Sequence, residues 1–410
     1  MSLPSLFCAL FACPAAAPPE APPQEAPAPA PAPDVASSGA FAQASNAFGA
    51  DLFAKLQAER TPGQNLVISP ASVSLALAMT ATGAGGETAA QMAQVLHVDA
   101  AGDLDAFTAD ASAQLALWRS ASDGYELAVA NRLFGEQSVT FAPAFLQATG
   151  DRFGAPLEAL DFRHDADGGR QHINGWVSDQ TDGRIPSLLP SGSLDADTSL
   201  VLANAVFFDG DWASAFDPAA TAEAPFHAAA GDVAAQMMHQ TAQLRTAEVD
   251  GVRVVQLPYA GGHLSMLVAL PAEGATLTPS AAALQGWADA LAPAQVALAM
   301  PKLDLHPDVL SLADTLGALG MPLALTDGAD FSGMTAEERL HISGVFHQAQ
   351  VTVDEVGTQA AAATAVVMTR ETAVLAPPPV AVTLDRPFLF LIRDDRTGTV
   401  LFLGQVATPA

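Results

Sequence analysis

The chain has 410 residues, half of them apolar and 15% charged, and its 44 Asp and Glu against 16 Lys and Arg leave a formal net charge of −28. Such a composition supplies a large buried core and excludes global disorder. So acidic a balance also excludes nucleic acid and anionic membrane surfaces as partners, because both need basic patches.

Residues 1–13 contain a short apolar run of the size of a signal peptide's apolar region, without the positive start such peptides carry. Leu10-Phe11-Ala12-Cys13 is similar to a bacterial lipobox, which makes Cys13 the candidate lipidation point and membrane tether. Residues 14–39 are dominated by Pro and Ala and read as an extended tether. The expected location is therefore outside the cytoplasm, secreted or lipid-anchored at the envelope. Richness in Ala, with Arg preferred to Lys, points to a GC-rich bacterial genome. Both cysteines, Cys8 and Cys13, lie in this leader, so the body that follows has neither a disulfide nor a cysteine metal site. Beyond it, no run approaches the roughly eighteen apolar residues of a spanning helix.

Residues 40–410 read as one domain, with helices early and strands later, an α+β class. Phe48, Leu52 and Leu56 share a helical face, and Pro70 opens a second helix that ends near Gly83. Residues 65–69 read as a buried strand ahead of it. Further strands are predicted at 126–134, 199–208, 252–258 and 264–270. A hairpin joins 388–393 to 400–406 with Gly398 in its turn. No nucleophile elbow, zinc-protease helix, phosphate loop or C-x-x-C is present, so no enzyme activity, cofactor or metal is expected. His164 and His172 around Asp165 and Asp167 read as chemistry at the start of a helix rather than a metal site.

Several of these segments, taken in order, resemble the serpin family over nearly all of residues 40–408. They are Asn65 to Ser72, Asn131 to Phe134, Ile173 to Val177 with Thr181 to Ile185, Leu202 to Trp212, Leu257 to Tyr259, Pro301-Lys302, Ala329 to Gly333, and Arg386 to Phe388 through Gly404. The resemblance implies a serpin fold of about nine helices and three β-sheets, with an exposed reactive-centre loop at about 355–379. It places Ser69, Ser72, Asn204 and His347 at the shutter below the point where the large sheet opens. Trp212 falls at the breach, where the loop enters.

The segment from Asp354 onward is the most informative. Glu355-Val356-Gly357-Thr358-Gln359-Ala360-Ala361-Ala362-Ala363-Thr364 has a glycine hinge followed by small residues, without proline. Ala propensity alone favours a helix there. By the resemblance it is instead a strand in waiting, like the hinge of inhibitory serpins, although Val356 replaces the charged residue usual before the glycine. Small side chains fit between two existing strands, and free N–H groups can join a ladder. The implied function is suicide-substrate inhibition of a serine protease in a covalent 1:1 complex, by a monomer. Family spacing from Glu355 places the cut bond at Glu371-Thr372, or at Arg370-Glu371 if the loop is one residue shorter. The alternative is a non-inhibitory, binding or chaperone-like serpin. A heparin-type cofactor is not expected, because residues 97–124 hold Arg119 as their one arginine, among several aspartates.

Overall fold

The computed structural model describes residues 39–61, 63–98, 103–119, 124–336, 339–358 and 378–409. Its helices are α1 (Ala40–Glu59), α2 (Pro70–Ala81), α3 (Gly86–Val95), α4 (Leu104–Arg119), α5 (Pro143–Phe153), α6 (Phe162–Gln180), α7 (Ala281–Ala290) and α8 (Ala313–Leu319). The strands are β1 (Leu66–Ile68), β2 (Tyr125–Glu136), β3 (Glu158–Leu160), β4 (Leu200–Asp211), β5 (Ala222–Ala228), β6 (Gly231–Val249), β7 (Val252–Pro258) and β8 (Leu264–Leu270). They continue with β9 (Ala292–Pro301), β10 (Leu303–Leu305), β11 (Leu310–Ser311), β12 (Gly344–Val353), β13 (Gly357–Thr358), β14 (Val380–Thr383), β15 (Phe388–Asp394) and β16 (Val400–Val406).

Helix α2 organises the interior. Pro70 presets its first turn, and the Ser69 hydroxyl accepts from the Ser72 N–H at 3.3 Å as its N-cap. All twelve of its residues are buried, as an apolar helix without a polar face requires. The seven-stranded sheet runs β10-β12-β4-β2-β3, with β11 on β12 and β13 on β4. Its central strand β4 is buried on both faces. Leu200, Leu202, Val206 and Phe208 join the main core, while Val201, Ala203 and Ala205 meet a second cluster containing Phe162, Ile173 and Val177 of α6. The nine-stranded sheet runs β1-β16-β15-β8-β7-β6-β9-β14, with β5 on β6.

Two features differ from the expected nine helices and three sheets. Eight α-helices are present among the described residues. The strands form two sheets because β6, 19 residues long, changes partner along its length, from β5 to β9 to β7. A strand that long spans roughly 60 Å and welds two smaller sheets into one.

Candidate functional site

Two neighbouring constellations lie along β4. The lower one is a buried polar network. Asn204 donates through Nδ2 to Ser72 Oγ at 2.6 Å and to Asn131 Oδ1, and its Oδ1 accepts from His347 Nδ1. The other ring nitrogen, Nε2, accepts from the Ser69 N–H at 3.0 Å, which requires the neutral Nδ1–H tautomer. Ser72 Oγ donates to Asn131 Oδ1 at 3.1 Å, and Asn131 Nδ2 donates to the Ser72 carbonyl at 3.2 Å. Burial pushes the His347 imidazole down to about 3, outweighing the opposing contact with Asn204. All four residues assigned to the shutter are thus brought together. Asn131 was missed, although it stands directly opposite Asn204 in the β2–β4 register. Only that pairing marks it out among the chain's asparagines.

Parallel pairing of β12 with β4 runs from Gly344↔Val201 to Gln350↔Phe207 and crosses the network at His347↔Asn204. Above Phe207 this pairing stops, and the upper constellation begins. Asp354 Oδ1 accepts from the N–H groups of Val356 and Gly357 at 2.9 and 3.2 Å, and the Asp354 N–H donates to the Gly357 carbonyl at 2.8 Å. This turn sends the chain back antiparallel, so that Gly357 pairs with Asp211 and Thr358 with Gly210. A Cβ on Gly357 would stand 2.1 Å from the Gly210 oxygen, so glycine is required for the approach.

Trp212 stacks on Tyr259 with ring centroids 4.5 Å apart, donates through Nε1 to the Asp354 carbonyl at 3.0 Å and through its N–H to the Val356 carbonyl at 2.8 Å. Glu355 meets Lys302 at 2.7 Å and accepts from Thr221 Oγ1 at 2.7 Å. Burial alone would raise its carboxyl, but the hydrogen bonds from Lys302 and Thr221 together outweigh that and hold it below the usual range. Thr358 is fully buried, and its hydroxyl meets the Tyr259 phenol at 2.8 Å. Burial drives that phenol's pKa well above its ordinary value. Sequence reasoning missed Tyr259, Lys302 and Thr221 as partners of the hinge, because each is distant in the chain and lies in an ordinary strand or turn context.

The proposed loop boundary also shifts. Glu355, Gly357 and Thr358 are buried at the top of the sheet rather than part of an exposed loop, because the Asp354 turn returns the chain onto β4. Gln359, Ala360 to Ala363, Thr364, Arg370, Glu371 and Thr372 lie outside the described residues, as does Cys13. Pro378 and Pro379, both exposed, precede β14, which pairs in parallel with β9. Just below the hinge contact, Asp209 meets Arg184 at 3.5 Å. Burial, and then Glu126, Asp211 and Asp354, push its carboxyl up to about 6 against the pull of Arg184.

Residues 43–409 match a model of the serpin (serine protease inhibitor) family. The chain is 38% identical to human Serpin B9 over 380 residues, covering 90% of this chain and 99% of that one. It is 36% identical over 376 residues to leukocyte elastase inhibitor of Xenopus laevis, covering 88% and 97%. Among solved structures, human thyroxine-binding globulin superposes with a TM-score of 0.83 at 28% identity, covering 91% of this chain and all of that one. These relatives are vertebrate proteins and give the bacterial reading of the composition no support. With the family match, the coverage and the ordered motifs all in agreement, the chain belongs to the serpin family.

Proposed function

We propose that the chain is a single-use inhibitor of serine endopeptidases, held in a 1:1 covalent complex with its target. The protease's serine hydroxyl adds to a loop carbonyl, the amine of the next residue leaves with a proton, and an ester joins the two proteins. The freed segment after Thr358 then enters the sheet between β4 and β12 before water reaches the ester. The observation that carries this reading is the pairing of Gly357 and Thr358 with the top of β4, antiparallel and above the point where β12 stops pairing with it.

Continuing that register one residue at a time would set Ala360, Ala362 and Thr364 on the main-core face, opposite Phe208, Val206 and Asn204, and Gln359, Ala361 and Ala363 on the α6 face. Side chains of that size fit both packed faces without clash. From Gly210 down to Leu200, β4 needs roughly 33 Å of strand, and the residues from Gln359 to Glu371 supply roughly 43 Å. Thr364 would arrive beside Asn204 and offer the buried network a new partner.

By family spacing from Glu355 the bond to be cut would be Glu371-Thr372, suiting a Glu-preferring enzyme, or Arg370-Glu371 in a loop one residue shorter, suiting a trypsin-like one. Export, with or without a lipid on Cys13, rests only on the sequence of residues 1–13. That segment precedes the family match, and the named relatives lend export no support. Incubating the protein with one protease of each kind tests the central reading. The expected result is a denaturation-resistant band at the summed mass, with the released C-terminal peptide reporting the bond. Turnover of the loop without any such band, by enzymes of both specificities, would refute inhibition.

A further inference from the structure

A cavity of about 710 Å3 lies away from both constellations, and it falls within the roughly 300–1,000 Å3 usual for small-molecule sites. It is bounded by the C-terminal end of α1, the segment after β8, the connection from β14 to β15 and the end of β16. Its walls are fastened to one another. Gln57 Nε2 donates to the Leu277 carbonyl at 2.9 Å and to Gln405 Oε1 at 2.8 Å. Arg386 Nη2 donates to the Pro271 carbonyl at 2.9 Å, and the His227 N–H to the Asp385 carbonyl at 2.7 Å. A ligand would therefore find the space already formed and would order little on binding.

Charge on the walls departs from that of the molecule. In this acidic chain, Arg132, Arg170, Arg253 and Arg396 each hold a carboxylate. Arg60, on the cavity wall, has neither a hydrogen bond nor an ion pair among the described residues, and its Nε is buried without a partner. Arg386 Nε is likewise buried and unpartnered. Of the wall carboxylates, Asp385 is held by Arg386 at 3.1 Å, and Glu273 is exposed. A guanidinium nitrogen buried without a partner is costly, and a ligand oxyanion would relieve it with charge-assisted hydrogen bonds. A bare inorganic anion would gain little against the overall charge of −28. An apolar body would add contact with Leu66, Pro271 and Ala275, which also line the space.

We propose that this cavity binds a small organic anion, a carboxylate or sulfonate on an apolar ring or chain, with its charge on Arg60. The site is independent of the inhibitory reading. Two fluorescent probes of nearly the same shape test it on the full chain: 1-anilinonaphthalene-8-sulfonate, and neutral N-phenyl-1-naphthylamine. The sulfonate should saturate one site per molecule, bind at least about tenfold more tightly than the neutral probe, and be displaced by dodecanoate. Arg60→Gln should remove that preference, and Ala275→Phe, which fills the space, should weaken both probes, each variant being checked for an unchanged melting temperature. Equal binding of the two probes, or binding that neither substitution alters, would overturn the proposal. Should Arg60→Gln fail to fold, Ala275→Phe and the comparison of probes on the unaltered chain still decide it.

Discussion

Asn204 shows how much a single side chain can carry at the seam between β4 and β12. Its amide serves Ser72 and Asn131 as a donor and His347 as an acceptor, and it is fully buried. Asn204→Ala leaves the buried His347 Nδ1–H unpaired and takes one donor from each of Ser72 Oγ and Asn131 Oδ1, at a cost of about 2–4 kcal/mol. In a domain of this size, that lowers the melting temperature by roughly 3–5 °C, readable by calorimetry. Asp209 makes an opposite case. Its carboxyl is raised to about 6 from 3.8, so between those values the folded state holds a proton that the unfolded chain has lost. Its ionisation therefore destabilises the fold as pH rises through 6. Asp209→Asn should be more stable than the unaltered chain at pH 7, and melting curves should show that advantage shrinking by pH 5. His347, lowered to about 3 from 6.5, acts the other way, costing stability as pH falls below 6.5 in both proteins, so it cancels in the comparison. An advantage that stays constant from pH 7 to pH 5 would reject this account of Asp209.

At the scale of elements, the hinge is where sequence and structure meet most directly. Gly357 stands out in the sequence because the run that follows it is small and free of proline, a pattern similar to the hinge of inhibitory serpins. That its first two residues already sit in the sheet was not legible. The placement depends on the Asp354 turn, on the Tyr259 phenol facing Thr358, and on β12 ending its pairing at Phe207. A charged residue at position 358 would have to leave water at a fully buried site. Thr358→Arg is therefore expected to expel the hinge and block insertion. The variant should be cut by the target protease at an undiminished rate while the covalent band on denaturing gels disappears. Retention of the full band would show that insertion does not pass through this position.

For the whole molecule, the proposed mechanism draws on a sheet that is not yet complete. The intact protein keeps β12 and β4 paired directly below the hinge, with no strand between them. Adding one would bring backbone hydrogen bonds on both edges and bury further apolar surface. The loop-cleaved chain should then survive a heating step that precipitates the intact one, and the barrier to reaching that form would make the native state kinetically held. Identical melting of cut and intact protein would remove the driving force on which inhibition depends.

The periodic and turn signals of the chain were sufficient for α2, β7, β8 and the β15–β16 hairpin, because each is dictated by neighbours in sequence: a proline at a helix start, an unbroken apolar run, a glycine in a tight turn. Ordered motifs were sufficient for the family. Tertiary structure decided the rest. The continuity of β6 across two sheets, the presence of Asn131 in the buried network, the Lys302–Glu355 contact and the open cavity beside Arg60 all join residues far apart in the chain. Periodicity reports which face of an element is buried. It carries no information on which distant polar group waits on the other side, and that pairing is what burial makes obligatory.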